Sequence, residues 1–297
     1  MKQVDSLIYE KFENGIAKIW LNRPEMGNRF NRELFNAMDE ALREAEADPE
    51  VRVIIIEGKG DDFCLGFDVA EPETSPAING EGATSWADRR ANTKEEMDVF
   101  VRILDMKTPV IGAMQGQVLG GGWMLAMCLD CLIAAENTVF DNSEMALGCS
   151  YTMYTPFDAW KLPMNIAMEK AMTGYPTTAE EGLRYGLFNR VVPVENLDLA
   201  ATAVAERMLK LAPYVLTMQK ETYKNCYHLM GLKNIIPFAT EIFSISMHLA
   251  DSPQGKYWND LAMQGPDVLY SNFMAEIQKL NDENEELRKR IYNLENK

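Results

Sequence analysis

Cations, histidines and long apolar runs are all scarce in this 297-residue sequence. Lys and Arg number 29 against 45 Asp and Glu, which gives a formal net charge of −16. This balance argues against nucleic acid or an anionic membrane as a main partner, because phosphate binding needs clustered cations. The absence of any run of about 18 apolar residues excludes a transmembrane helix. Residues 1–10 contain no apolar signal core, so we do not expect a secreted protein.

The histidines and cysteines are too few and too isolated to predict a metal site. The only histidines are His228 and His248, and neither lies in a ligand motif. Cys128 and Cys131 form a CxxC without a second pair, and we interpret them as small buried apolar side chains. The five cysteines are odd in number and lie mostly inside apolar runs, which indicates a reduced, cytoplasmic protein.

What the chain does contain is an alternation of strand and helix patterns, which predicts an α/β fold. Residues 51–57 (VRVIIIE) form a continuous apolar run, as expected for a strand covered on both faces. The predicted strands cover residues 6–10, 15–21, 51–57, 109–116 and 131–135. The predicted helices cover residues 31–47, 93–105, 124–128, 179–185, 197–211 and 213–230.

The least regular segment covers residues 71–90 and is rich in Pro, Gly, Ser, Thr and acidic residues. This composition predicts a surface loop or lid. Trp86 is its only aromatic side chain, so Trp86 is the candidate for closing over a ligand.

Two glycine-containing turns follow the two buried strands of the pattern. Residues 63–68 (FCLGFD) come after the strand at 51–57, and residues 116–122 (GQVLGGG) come after the strand at 109–116. In an open α/β sheet, ligands bind at the carboxyl ends of the strands. Glycine lets a ligand approach the main chain closely, and paired N–H donors aimed at one oxygen form an oxyanion hole.

The order of the motifs resembles the crotonase, or enoyl-CoA hydratase/isomerase, superfamily over about residues 6–260. The resemblance implies a crotonase-like α/β spiral of ββα units followed by a helical trimerisation region. GxGxxG is absent, so no dinucleotide site is predicted. The motifs are Leu21-Asn22-Arg23-Pro24, Phe63-x-x-Gly66-x-Asp68, Gly116-x-x-x-Gly120-Gly121-Gly122, Phe140-x-x-x-Glu144-x-x-x-Gly148 and Gly182-Leu183-x-x-Gly186-Leu187.

By motif position, the resemblance implies an oxyanion hole made by the backbone N–H groups of Phe67 and Gly121. In this family the two donors hold the carbonyl oxygen of an acyl thioester and stabilise an enolate. Coenzyme A then serves as the carrier of the substrate, and no permanently bound cofactor is implied. The positive end of the helix that starts at Gly121 would lie near the developing charge.

Hydratases of this family generally use two glutamates, and this sequence retains one of them. Met124 occupies the first position, and a thioether cannot transfer a proton. Glu144 occupies the second and is the single acid/base candidate, with a pKa expected to rise in an apolar pocket. The pattern of one retained glutamate with an apolar residue at the other position resembles the enoyl-CoA isomerase branch of the family. Lyases that act on hydroxycinnamoyl thioesters share this pattern.

The sequence is compatible with several alternative functions. A hydratase, a decarboxylase or a C–C bond hydrolase has the same fold, and the acyl group could be carried by coenzyme A or by a carrier protein. An alternative of another class is a catalytically weakened assembly or interaction protein, which the loss of one glutamate favours.

The substrate pocket has further candidates. After Glu144 the chain departs from the family pattern with an aromatic stretch, whose phenols could narrow the pocket or donate a proton. The pocket candidates are Asp68, Trp86, Met124, Asp141, Tyr151 and Tyr154.

Residues 269–297 form a heptad pattern that predicts a coiled-coil tail, natural or added. Ile and one Asn at a with Leu at d favour a parallel two-stranded coil. We therefore divide the chain into a catalytic core (1–195), a helical oligomerisation region (196–268) and the tail. The resemblance implies a trimer or a dimer of trimers. Position a holds Tyr270, Ile277, Asn284 and Ile291, and position d holds Phe273, Leu280, Leu287 and Leu294.

Overall fold

The computed structural model describes residues 2–68, 86–141 and 150–249, together with residues 252, 253, 256, 279 and 289. The strands are β1 (Lys2–Val4), β2 (Leu7–Lys11), β3 (Ile16–Leu21), β4 (Val53–Gly58), β5 (Val110–Met114), β6 (Gln117–Leu119), β7 (Cys131–Ala135), β8 (Val139–Asp141), β9 (Thr177–Thr178) and β10 (Arg190–Val192). The helices are α1 (Arg32–Ala47), α2 (Trp86–Asp105), α3 (Gly121–Cys128), α4 (Thr155–Lys161), α5 (Met164–Thr173), α6 (Ala179–Tyr185), α7 (Leu197–Leu209), α8 (Pro213–Leu229) and α9 (Leu232–Leu249).

The main sheet has the order β1-β2-β3-β4-β5-β7-β10 within the described residues. The first three strands are antiparallel, and the strands from β3 to β10 are paired in parallel. A smaller sheet has the order β6-β8-β9, with β6 and β8 parallel. The predicted α/β class is therefore confirmed.

Both faces of the central strand β4 are covered, as its apolar run predicts. Ile54 and Ile56 lie in one buried cluster with apolar side chains of α1. Val53 and Ile55 lie in a second cluster with α7. Alternate residues of a strand point to opposite faces, so a continuous apolar run serves both clusters.

Helix α1 illustrates how local signals set an element. The Asn31 side chain caps it by accepting a 2.8 Å hydrogen bond from the Leu34 N–H. Leu34, Met38 and Leu42 then bury one face, at the spacing of an amphipathic helix. The prediction of a helix over residues 31–47 is confirmed.

Two predicted boundaries are wrong. Helix α2 begins at Trp86, so residues 86–90 are helical and not part of a loop. Residues 86–92 contain no Gly or Pro, and Ala and Arg favour a helix. Residues 117–119, predicted as a turn, form β6 of the smaller sheet. Gly116 has a φ of +58°, which lets the chain leave β5 and enter the other sheet.

Helices α4, α5 and α9 were not assigned from the sequence. Residues 71–85 of the predicted lid and the segment that contains Glu144 lie outside the described residues. The heptads of the tail do so as well, apart from two isolated positions, and the coiled coil therefore stays a prediction. Among the described helices, none has the length and apolarity that a membrane crossing requires.

Candidate active site

The two glycine-containing turns lie against each other. Strands β4 and β5 are parallel neighbours, so the segments that follow them leave the sheet at the same edge. Cys64 and Val118 then form a parallel bridge between the two segments. The Cys64 N–H donates to the Gln117 carbonyl at 3.3 Å, and the Leu119 N–H donates to the Cys64 carbonyl at 2.9 Å.

Gly66 brings the first turn directly against the start of α3. Its φ is +87°, and a Cβ added there would lie 3.2 Å from the Gly121 nitrogen and 3.1 Å from the Leu119 carbonyl oxygen. Only a residue without a side chain satisfies both the backbone angle and the close approach.

The backbone around Phe67 leaves its N–H available. Phe30 forms a parallel bridge with Phe67, in which the Phe30 N–H donates to the Gly66 carbonyl and the Asp68 N–H donates to the Phe30 carbonyl. Within the described part of the chain, no oxygen accepts a hydrogen bond from the N–H of Phe67 or of Gly121. Gly121 opens α3, where helical N–H groups have no partner inside the helix and the dipole is positive.

We expect Gly66→Ala to lower turnover at least tenfold, because its methyl group would crowd the Gly121 N–H. The matched control is Gly186→Ala. Gly186 has a similar φ of +80°, but a Cβ there would meet nothing within 4 Å. Steady-state kinetics and thermal melting of both variants separate crowding of the turn from backbone strain. Equal loss of activity in the two variants would contradict the expectation.

The ring of Phe67 belongs to an aromatic cluster. It lies 5.8 Å from the Phe30 ring, 5.7 Å from Phe35 and 6.5 Å from Phe100, between ring centroids. A Cβ added at Gly121 would lie 2.8 Å from Phe67 Cε2. The cluster therefore packs the first turn against α1, α2 and the start of α3.

Met124 is fully buried in α3, within the main apolar cluster. Its N–H donates to the Gly120 carbonyl at 3.0 Å, so the helix is regular from its first turn. Glu144 lies outside the described residues. Trp86 begins α2 and Tyr151 begins a short 3-10 turn, and the structure describes neither side chain.

Asp68 ends the first glycine-containing turn, and Asp141 ends β8. The buried carboxylate of Asp68 pairs with Arg23 at 3.2 Å, and Arg23 also donates to the Arg29 carbonyl at 2.7 Å. This pair connects the segment 21–24 to the segment 63–68. Asp141 is buried at the end of β8, and its carbonyl accepts a 3.4 Å hydrogen bond from the Gly120 N–H.

Tyr154 is buried at the start of α4, and beside it lies a feature that the sequence analysis missed. Trp123 Nε1 donates a 2.8 Å hydrogen bond to Asp158 Oδ1, and Asp158 is only 1% exposed. Burial raises the pKa of Asp158 from its ordinary value of 3.8 to about 8, against the opposing effect of the Trp123 hydrogen bond. A pair 35 residues apart leaves no local pattern by which it could be found.

We expect Asp158→Asn to be more stable than the parent chain, by a margin that grows with pH. The folded chain holds the Asp158 proton up to about pH 8, whereas the unfolded chain releases it near 3.8. Stability therefore falls as pH rises through this window, by up to about 1.4 kcal/mol per pH unit from this group. Asn keeps an acceptor for Trp123 without the charge. Urea unfolding of both proteins from pH 4 to 9 checks this; a margin independent of pH would contradict it.

Cys128, Cys131 and His228 fit structural roles. Cys128 is buried, as predicted, while Cys131 is half-buried, and burial raises the pKa of both thiols. His228 Nε2 lies 2.7 Å from Asp105 Oδ1. In the described ranges, no three His, Cys, Asp or Glu side chains are grouped so as to hold a metal ion.

The parallel sheet, the interlaced turns and the helix that starts at Gly121 define an α/β fold of the crotonase class. A family model described as enoyl-CoA hydratase/isomerase matches residues 11–258. The chain belongs to this family and is a crotonase-superfamily enzyme of the acyl-CoA-processing type, as predicted.

Similar proteins include several with assigned names. The chain is 32% identical over 247 residues to a protein named probable enoyl-CoA hydratase, mitochondrial, from Dictyostelium discoideum, covering 81% of this chain and 83% of that one. It is 35% identical over 214 residues to carnitinyl-CoA dehydratase of Salmonella typhi, covering 70% and 77%. A crystal structure of a probable enoyl-CoA hydratase from Mycobacterium smegmatis superposes with a TM-score of 0.77 at 28% identity, covering 85% of this chain and 98% of that one.

Proposed function

We propose that this enzyme stabilises the enolate of an acyl-CoA thioester and moves a proton along the acyl chain. The N–H groups of Phe67 and Gly121 hold the thioester oxygen, and Glu144 is the single acid/base. The observation that supports the proposal is the contact of the two turns at Gly66, the residue before Phe67, where an added Cβ would lie 3.2 Å from the Gly121 nitrogen. Preorganised N–H donors stabilise charge that develops on a carbonyl oxygen.

The buried Met124 favours isomerisation or C–C cleavage over addition of water. Water addition in this family generally uses a carboxylate at that position, and the thioether of Met124 is fully buried and carries no proton. A single carboxylate is sufficient to take a proton from one carbon of an enoyl group and return it to another.

Hydration or dehydration is the second candidate, and the names of the relatives favour it. The Dictyostelium protein is named a hydratase and the Salmonella protein a dehydratase. In this case water would be activated by Glu144 alone or together with a group outside the described residues.

Mass spectrometry with a panel of acyl-CoA esters tests the proposal. The panel contains 2-enoyl, 3-enoyl, 3-hydroxyacyl and hydroxycinnamoyl thioesters, in water and in D₂O. Isomerisation leaves the mass unchanged in water and incorporates deuterium in D₂O. Hydration adds one water, and cleavage or decarboxylation shortens the acyl group. The same acyl groups on pantetheine or a carrier protein identify the carrier. Lack of turnover with the whole panel would favour an assembly protein.

We also propose that the core is a trimer held by the helices α7 to α9, and that the tail adds a separate contact. Helices α8 and α9 expose large apolar side chains that a monomer would leave in water. The exposed set includes Tyr214, Met218, Phe238, Ile245 and Leu249.

Truncation after Asp267 is expected to leave an active trimer, because the apolar helices remain. Light scattering and activity assays of the truncated chain check this, with Phe238→Asp in the truncated chain as the comparison. We expect that substitution to shift the trimer towards monomer, since it places a charge on the apolar face of α9. A truncated chain that is monomeric and inactive would show that the tail holds the assembly together.

A further inference from the structure

The first turn of α3 has few side chains that can fix its position. The helix begins with Gly121 and Gly122, so Trp123 is the first residue whose side chain can anchor it. The glycines pack closely through their backbones, since a Cβ at Gly122 would collide with the Cys64 carbonyl oxygen. Such contacts resist approach of the helix, but they do not prevent it from rotating or moving away.

Trp123 is held from two sides. Its Nε1–H donates to Asp158 Oδ1 of α4 at 2.8 Å, and its ring lies 4.5 Å from the Phe140 ring of β8, between centroids. Trp123 is 2% exposed. Phe140 precedes Asp141, whose carbonyl accepts the Gly120 N–H. One contact of Trp123, with Phe140, therefore lies next to the residue that accepts the hydrogen bond of Gly120, which precedes Gly121.

Burial of a carboxyl group between two helices carries an unfavourable desolvation free energy. An apolar side chain of similar size would fill the same space without desolvation of a polar group. What Asp158 adds is direction, because a hydrogen bond to an indole N–H fixes the ring plane in a way that apolar contact does not.

We propose that Asp158 is a positioning residue for the acyl-CoA reaction: it holds Trp123 and thereby fixes the Gly121 N–H in line with the thioester oxygen. The inference rests on the proposed function of Gly121. Asp158 itself need not touch the substrate. Misplacement of a reacting or stabilising group by about 1 Å can lower a rate by 10²-fold, so a small rotation of α3 is sufficient to matter.

Three variants separate direction from packing. Asp158→Leu removes the acceptor at similar volume, Trp123→Phe removes the donor and keeps a ring against Phe140, and Asp158→Asn keeps an acceptor. We expect the first two to lower kcat about ten- to hundredfold with KM within about twofold, and Asp158→Asn to restore most of kcat. The double variant Trp123→Phe with Asp158→Leu should lose no more kcat than either single variant, because both substitutions remove the same hydrogen bond.

Infrared spectroscopy gives a readout that does not depend on turnover. The probe is crotonyl-CoA labelled with ¹³C at the thioester carbonyl, bound to the full chain. In the parent protein the carbonyl stretch should move to lower frequency than in water, and in Asp158→Leu and Trp123→Phe most of this shift should be lost. Thermal melting of each variant reports whether it folds; if Asp158→Leu does not fold, Trp123→Phe carries the test.

The outcomes distinguish the two proposals. No carbonyl shift in the parent chain would overturn the proposed oxyanion hole, whatever Asp158 does. A normal shift in the parent that persists in folded Asp158→Leu and Trp123→Phe, with kcat unchanged, would overturn the positioning role alone. Equal loss of kcat in Asp158→Asn and Asp158→Leu would also overturn it, because Asn retains the acceptor.

Discussion

Glu144→Gln is expected to lower turnover by roughly 10²–10⁴-fold, the range typical of loss of a general acid/base. The amide keeps the size and hydrogen-bonding shape of the carboxyl group but cannot accept a proton from carbon. By the family resemblance, Met124 stands where a second glutamate would share this work, and its side chain is fully buried in α3. The expectation for Glu144 follows from its place in the segment Phe140-x-x-x-Glu144, which continues from β8.

The measurement is kcat with the best substrate of the panel, together with exchange of substrate protons in D₂O. Glu136→Gln is the matched control, because Glu136 is an exposed glutamate in the turn before β8. We expect the control to behave as the parent, and thermal melting to be similar for all three proteins. Near-full activity of Glu144→Gln would remove Glu144 as the base, and the isomerase reading would fall with it.

The second large effect is expected at Gly121, where donor and packing can be separated by two substitutions. Gly121→Ala keeps the N–H and adds a Cβ, which would lie 2.8 Å from Phe67 Cε2 and 3.2 Å from Phe30 Cδ2. Gly121→Pro also adds a Cβ, removes the N–H and places the ring Cδ on the nitrogen beside Gly66, so its folding has to be checked. Proline is otherwise well suited to the first position of a helix.

We expect Gly121→Ala to be impaired and Gly121→Pro to be impaired by a further 10²–10³-fold, since one oxyanion donor is worth about 3–4 kcal/mol in the transition state. The comparison uses kcat/KM on the same substrate and circular dichroism to confirm folding. Equal activity of folded Ala and Pro variants would mean that the Gly121 N–H does not face the reacting oxygen.

Local signals were sufficient to predict much of the fold. Asn31 before an amphipathic run predicts the start of α1, and the continuous apolar run at residues 51–57 predicts a strand covered on both faces. Both features act through neighbouring residues, so a single sequence carries them. The two glycine-containing turns were predicted for a related reason, because each follows a buried strand, whereas the choice of Phe67 and Gly121 within them rests on the family resemblance.

Contacts between distant segments could not be predicted in the same way. The pairing of Trp123 with Asp158 depends on how α4 packs against α3, and no spacing rule connects the two positions. The strand at residues 117–119 exists because Val118 pairs with Cys64 and the strand itself pairs with β8. A run of three residues is too short for periodicity to indicate a strand. The sequence predicts too late a start for α2, because the polar composition around Trp86 is typical of a loop.

The smaller sheet connects the two chain segments that take part in the proposed reaction. Strands β6 and β8 run side by side in register, with Leu119 opposite Asp141. Gly121 follows β6 by two residues, and Glu144 follows β8 by three. The chain segments that lead to the proposed N–H donor and to the proposed base thus leave neighbouring strands, which lie about 4.8 Å apart. In the proposed reaction, the number of residues between β8 and Glu144 is therefore a determinant of the distance from the base to the thioester carbonyl. Under the proposed function, we expect insertion of one residue after Asp141 to impair proton transfer while binding of the thioester persists.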